Sequence, residues 1–221
     1  MAATTIAARV DELKRSAAAD PDPRMAAFAR EQAALAQAPD PEGVAPVGTV
    51  LPDAELLDVD GAARTLGEAV GAGPAVLVLY RGHWCPYCNI ALRTYQSELL
   101  PTLRERGVPL IAVSPQKPDG SLTMKEKHEL TYEVLSDPGM VLARAANVVT
   151  EPAEEAIAAQ LELGLDLAEV NADGTRALPM PTVAILDGER TIRWIEVHRD
   201  YTRRSEPTDV LAALEATTGR S

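Results

Sequence analysis

Residues 75–80, Ala-Val-Leu-Val-Leu-Tyr, are apolar without interruption. So short an unbroken run is the pattern of a strand covered on both faces, because alternation with polar residues is needed only where one face meets water. Arg81-Gly82-His83-Trp84 follows at once, and then Cys85-Pro86-Tyr87-Cys88, which holds the chain's only 2 cysteines. From there Cys88, Leu92, Tyr95, Leu99 and Leu103 recur at helical spacing as far as Arg106, with Gly107 as a stop. Pro101 lies inside this helix and predicts a kink. Residues 108–113 are a second strand of the buried type, so the stretch reads as a β-α-β unit with the cysteine pair at its first turn.

The flanking segments divide the chain in two. Ile6, Val10, Leu13 and Ala17 predict a helix over residues 4–19, capped by Thr4 or Thr5. Pro21-Asp22-Pro23 breaks it, and Met25, Phe28, Gln32 and Leu35 predict a second helix over residues 24–37. Residues 39–46 read as a linker. Residues 1–46 are therefore a helical arm and linker, and residues 47–221 the main domain. The expected role of the arm is to cover that domain or a dimer partner. A homodimer through the arm is open, though no specific residue argues for one.

Within the main domain, Leu56-Leu57-Asp58-Val59, a turn at Asp60-Gly61 and residues 62–65 predict a hairpin. Residues 181–186 predict a strand, Asp187-Gly188 its turn, and residues 191–197 an antiparallel partner. Val210, Leu211 and Leu214 mark a closing helix. A long insertion, residues 116–178, should hold helices near 140–146 and 152–161. The fold class is α/β around a central mixed sheet.

A net charge of −12 argues against nucleic acid or an anionic membrane as partner, since both demand basic patches. No apolar segment approaches the ~18 residues of a membrane span. Met1 to Asp20 carries Arg9, Asp11, Glu12, Lys14 and Arg15 and no apolar stretch, so no secretory signal is expected and the predicted location is cytoplasmic. Two cysteines are too few for a disulfide scaffold. A close pair in that compartment is redox-active or metal-binding rather than structural.

Placing Cys85 at the N-cap puts Pro86 at N1, where its missing N–H costs nothing, and Cys88 at N3. The Cys85 sulfur would then face the free amides of the first turn, including that of Cys88, and the positive end of the helix dipole. Such surroundings lower a thiol pKa from ~8.5 to about 3.5–7.5, which marks Cys85 as the nucleophile and leaves Cys88 a protonated thiol placed to resolve an adduct on it. Arg81 and His83 are candidates for added positive charge. Trp84 reads equally well as a substrate platform or as packing. The competing reading is zinc, which needs four ligands or three and water. His83, His128 and His198 are the only histidines left to complete such a site, and none is spaced for it, so metal and cofactor are both expected to be none. His128, in Lys125-Glu126-Lys127-His128-Glu129, reads as a solvated surface residue.

With these residues assembled, the chain resembles the peroxiredoxin-like branch of the alkyl hydroperoxide reductase/thiol-specific antioxidant family. The resemblance rests on Val47-Gly48, Leu51-Pro52-Asp53, Asp58-Val59-Asp60-Gly61, Leu79-Tyr80-Arg81-Gly82, Val113-Ser114-Pro115, Leu135-Ser136-Asp137 and Ile185-Leu186-Asp187-Gly188, in that order. It implies a thioredoxin-like three-layer sandwich and a thiol peroxidase. Cys85 would attack a hydroperoxide substrate, Cys88 would resolve the sulfenic acid to a disulfide, and a thioredoxin- or glutaredoxin-type reductant would regenerate the dithiol. Tyr80, Arg81, Trp84, Pro86 and Pro181 would shape the site, with Pro181 in the cis form beside the cysteines. Two positions depart from the family pattern. Gly82 stands where a threonine is usual, and Pro179-Met180-Pro181-Thr182 where an arginine is usual, with Arg203 or Arg204 as spatial substitutes. Cys-Pro-Tyr-Cys is also the motif of glutaredoxins. The alternative is therefore a thiol-disulfide oxidoreductase acting on protein or glutathione disulfides with little peroxidase activity.

Overall fold

A computed structural model describes residues 5–20, 22–118 and 129–219. His128 lies outside them. The core is a seven-stranded mixed sheet in the order β2-β1-β5-β4-β3-β8-β9. Its strands are β1 (Glu55–Leu57), β2 (Ala63–Thr65), β3 (Ala75–Leu79), β4 (Leu110–Ser114), β5 (Glu133–Ser136), β8 (Thr182–Leu186) and β9 (Ile192–Val197). β6 (Val149–Thr150) and β7 (Leu178–Pro179) form a separate pair. β3 is an interior strand, parallel to β4 with Leu77 opposite Ile111, and antiparallel to β8 with Leu77 opposite Ala184.

The apolar run is buried on both faces as its pattern requires. Val76, Val78 and Tyr80 enter one core with Leu92, Tyr95, Leu99, Val183 and Leu214, while Ala75, Leu77 and Leu79 enter the other with Leu66, Val70, Met140 and Leu186. Two cores separated by one sheet make the three-layer sandwich. The hairpin turns where expected: the Asp58 carboxylate accepts from Asp60 N and Ala62 N at 2.9 Å each, and Gly61 takes the left-handed φ of 81° that the turn needs.

The helix after the cysteines is more articulated than its periodicity suggests. α4 (Pro86–Thr94) passes into a π-helical turn (Tyr95–Leu99) and then into α5 (Leu100–Glu105) (α1 to α3 are Ile6–Ala19, Ala26–Gln37 and Leu66–Val70). Pro101 cannot donate to the preceding turn, so the ladder widens: Leu100 N donates to Tyr95 O, five residues back. The predicted kink is absorbed in that widened turn, and the inward stripe stays buried along the whole length.

The arm folds back onto its own chain. Ile6 and Val10 of α1 are buried in the core that contains Tyr87 and Cys88. Thr5 caps α1 by accepting from Ala8 N, and the Glu206 carboxylate accepts from Ile6 N and Ala7 N at 2.9 Å each, pinning the helix start to the C-terminal segment. In α2, Glu31 accepts from the Tyr201 hydroxyl at 2.9 Å and from Ala153 N at 2.7 Å. The inserted helices run over Val141–Ala145, Glu154–Glu162 and Leu167–Val170, and the closing helix over Pro207–Thr218. Among the described residues no helix is long and apolar enough to cross a membrane.

Candidate active site

Cys85 is the N-cap of α4 with extended backbone, φ −84° and ψ 112°, and Pro86 is N1. Both sulfurs are free thiols and both residues are buried, Cys85 at 1% and Cys88 at 0% exposure. The strand end at Tyr80 and the turn through Gly82 put them there. Gly82 has φ 145°, and a Cβ on it would lie 2.5 Å from Trp84 Nε1 and 3.0 Å from Gln116 Oε1. The site therefore excludes a threonine at 82 by contact as well as by conformation.

The cation at the sulfurs is Arg204, from the loop between β9 and the closing helix. Its Nη2 is 3.0 Å from Cys88 Sγ and 3.8 Å from Cys85 Sγ. Nη1 donates to the carbonyls of Tyr201 and Arg203, so the guanidinium is aimed by its own loop. That loop is fastened in turn. The Asp200 carboxylate accepts from Thr202 N and Oγ1, the buried Tyr95 hydroxyl donates to Ser205 O at 2.8 Å, and His198 N donates to Pro181 O at 2.9 Å.

Here the structure corrects the sequence-based electrostatics. No backbone amide caps the Cys85 sulfur. It donates instead toward Cys88. Burial pushes the Cys85 thiol well above its ordinary range, and hydrogen bonding to Cys88 and the negative charge there add to the rise, against the lowering from Arg81 and Arg204. Burial also opposes ionisation of Cys88. The hydrogen bond from Cys85, the Arg204 charge and the Arg81 backbone amide outweigh it and hold Cys88 well below the ordinary thiol range. The first proton thus leaves the pair as a unit, and its charge rests on the sulfur nearer Arg204. Burial would lower the Arg204 pKa, but the sulfurs of Cys88 and Cys85 raise it.

The remaining sequence candidates are distributed around this centre. Arg81 engages two aromatic rings. Its Cζ lies 3.9 Å from the Tyr201 ring centroid and 5.1 Å from that of Trp84, a cation–π sandwich that locks the turn. His83 is held by Gln116, its ring by the side-chain amide and its N–H by Oε1 at 2.9 Å. His198 Nε2 faces Ser205 Oγ at 3.4 Å and Glu196 Oε2 at 3.5 Å. Among the described residues no three His, Cys, Asp or Glu side chains gather as a metal site. Tyr80 is buried in the core beneath the turn, and Pro86 is exposed at the first turn of α4.

Pro181 borders a small cavity with Cys88, Tyr95, Thr182 and Arg204, so it does shape the site. The cis form expected of it is corrected, since no described peptide bond is cis. Met180 N donates to Val148 O at 2.7 Å and Thr182 Oγ1 to Met180 O at 2.8 Å, bonds that carry the trans chain from β7 into β8. Arg204 and Tyr201 were the residues hardest to find in sequence. Arg204 had only its positive charge to signal it, and Tyr201, in the turn Asp200-Tyr201-Thr202, had no signal.

A cleft of about 170 Å³ opens at Cys85, bordered by Arg81, Trp84, Pro86, Tyr87 and Tyr201 from the main domain and by residues of the arm.

A dithiol at the N-terminus of a helix, beside a buried strand and under a fixed arginine, defines a peroxiredoxin-like chain of thioredoxin fold. Residues 47–195 match the AhpC/TSA family model, two thirds of the sequence, and the chain belongs to that family. Among solved structures it is similar to reduced Prx3 in complex with H2O2 from Vibrio vulnificus, with a TM-score of 0.62 and 19% identity over 77% of this chain and 99% of that one. Peroxidoxin BcpB from Mycobacterium tuberculosis gives a TM-score of 0.58 and 18% identity over 79% and 97%. At such identities the likeness carries the fold. In sequence, the thiol-disulfide oxidoreductase ResA of Geobacillus kaustophilus is 31% identical over 103 residues, 46% of this chain. The match spans 58% of that relative's length.

Proposed function

We propose that the protein is a thiol peroxidase that reduces hydroperoxides through Cys85 and a Cys85–Cys88 disulfide, regenerated by a thioredoxin- or glutaredoxin-type dithiol. The observation that carries this reading is the Arg204 guanidinium within reach of both sulfurs, with Cys85 the one bordering the open cleft. Access and charge are divided between two sulfurs that exchange one proton. Transfer of that proton from Cys85 to Cys88 leaves the thiolate at the sulfur that can meet substrate, with Arg204 near enough to stabilise it.

Cys85 thiolate attacks the terminal oxygen of ROOH, an S–O bond forms, the O–O bond breaks, and RO⁻ leaves to take a proton and become ROH. Arg204 is the donor that would offset charge on the leaving oxygen. The Cys88 sulfur then attacks the Cys85 sulfenic acid and water departs with the hydroxyl, leaving the disulfide. An external dithiol returns two electrons and two protons.

A second reading, thiol-disulfide exchange with little peroxidase activity, draws on the Cys-Pro-Tyr-Cys sequence, Gly82 in place of threonine, and the relatives named ResA. Stopped-flow mixing of the reduced protein with hydrogen peroxide, and separately with a glutathione mixed disulfide, tests the choice. Rapid loss of one thiol with peroxide supports the peroxidase. Sluggish peroxide reaction beside rapid mixed-disulfide reduction replaces it with the second reading.

A further inference from the structure

The cleft at Cys85 is built from parts of the chain far apart in sequence. Met25 and Phe28 come from the arm, Trp84 and Pro86 from the cysteine turn, and Leu163 and Leu165 from the segment after the helix Glu154–Glu162. These six side chains are largely apolar, and Gln32, Arg81, Tyr87, Gln160 and Tyr201 complete the lining. Met25 is 44% exposed and Leu163 41% exposed, so two large apolar residues of the lining face solvent. Phe28 is the only phenylalanine in the chain, and it is spent here rather than in the core. Hydrogen peroxide has no apolar surface and gains nothing from such walls. A cavity of about 150 Å³ holds one benzene ring, so the 170 Å³ here, with Cys85 in its wall, matches an organic group of phenyl size.

We propose that the N-terminal arm is a specificity element: with the 163–165 segment it forms an apolar seat for the organic group of a bulky, uncharged hydroperoxide. The proposal rests on the peroxidase reading and adds the residues that choose among peroxides. An uncharged substrate suits the setting, because the charged side chain in the wall, Arg81, is already engaged by the Tyr201 and Trp84 rings. The organic group contributes through burial against Met25, Phe28 and Leu163, a contribution that appears in kcat/KM and is absent for hydrogen peroxide.

The test compares kcat/KM for cumene hydroperoxide and for hydrogen peroxide in the full chain. Phe28→Ala and Leu163→Ser, in separate segments of the lining, should each lower the ratio of the two about tenfold, and Phe28→Leu should restore most of it. A ratio that stays at the wild-type value in both variants overturns the proposal while leaving the peroxidase reading intact. A wild-type protein inert to hydrogen peroxide and to cumene hydroperoxide alike removes the peroxidase reading first. If the variants instead raise only the KM for the dithiol reductant, the cleft receives the reductant and the proposal is wrong. Should Phe28→Ala lose its arm packing, the Leu163→Ser result decides, since that residue is outside the arm.

Discussion

Replacing Arg204 by methionine removes the charge while keeping much of the side-chain volume. For a unit charge at 3.0 Å from Cys88 Sγ and an effective dielectric of ~20, Coulomb's law gives about 5.5 kcal/mol, and at the 3.8 Å of Cys85 about 4.4 kcal/mol. Delocalisation over the guanidinium and partial solvent contact reduce this, and half remains a reasonable figure. About 2.7 kcal/mol is ~2 pKa units at 1.36 kcal/mol each. The first ionisation of the dithiol should therefore move up by ~2 units in Arg204→Met, followed by the ultraviolet absorbance of the thiolate against pH. The loss of thiolate at neutral pH is then up to ~100-fold. A less acidic thiol is also a better nucleophile, with a Brønsted slope of about 0.4–0.5, which returns roughly tenfold. The thiolate deficit thus lowers the peroxide rate constant about tenfold at neutral pH and recovers as pH is raised, while loss of the donor to the leaving oxygen adds a decrease that higher pH does not restore. Arg204→Lys should fall between, since it keeps a point charge but loses the fork. An unmoved titration midpoint in Arg204→Met would show that something other than this guanidinium ionises the pair.

Four further outcomes are expected. Cys85→Ser should abolish turnover, whereas Cys88→Ser should accumulate one sulfenic acid per chain, read by mass after trapping with a 1,3-dione; full activity in Cys85→Ser would falsify the assigned nucleophile. Gly82→Ala, forced into a left-handed φ against Trp84, should cost about 1–3 kcal/mol in chemical unfolding. Tyr95→Phe leaves Ser205 O without its buried donor, so stability should drop by about 1–3 kcal/mol and the peroxide rate should fall with the loosened Arg204 loop. The pH dependence of stability follows from the opposite directions of the two thiols. The lowered Cys88 adds stability as pH rises from its folded pKa toward the ordinary ~8.5, and loses it as pH falls back through that folded pKa. The raised Cys85 reverses the trend above ~8.5. The thermal midpoint of the reduced protein should therefore peak near that pH, and a doubly substituted Cys85→Ser, Cys88→Ser protein should show no such peak.

How much of this was legible from residues alone varies with the range of the interaction. The apolar run at 75–80, the stripe from Cys88 to Leu103 and the turn at Asp187-Gly188 fixed the central strand, the helix and the last hairpin, because each is dictated by burial periodicity or by a local backbone requirement. The cysteine pair at the strand–helix junction was equally local, and it marked the chemistry. β5 carried little signal, since Val134, Leu135 and Ser136 are buried by neighbours on the sheet rather than patterned by their own sequence. The trans form of Pro181 had no signal in the residues around it.

What the sequence determined by itself was a dithiol at the start of a helix in a two-faced α/β sheet. Which sulfur carries the charge was decided only by tertiary structure. The arginine responsible lies more than a hundred residues downstream, and its 3.0 Å and 3.8 Å distances to the two sulfurs come from a loop held by Tyr95, Asp200 and Pro181. The arm's place as a wall of the Cys85 cleft was decided the same way, because Met25 and Phe28 meet Leu163 and Leu165 only after Glu31 and Glu206 have tied the arm to the domain. Charge and contact act through space, and separation along the chain does not encode them.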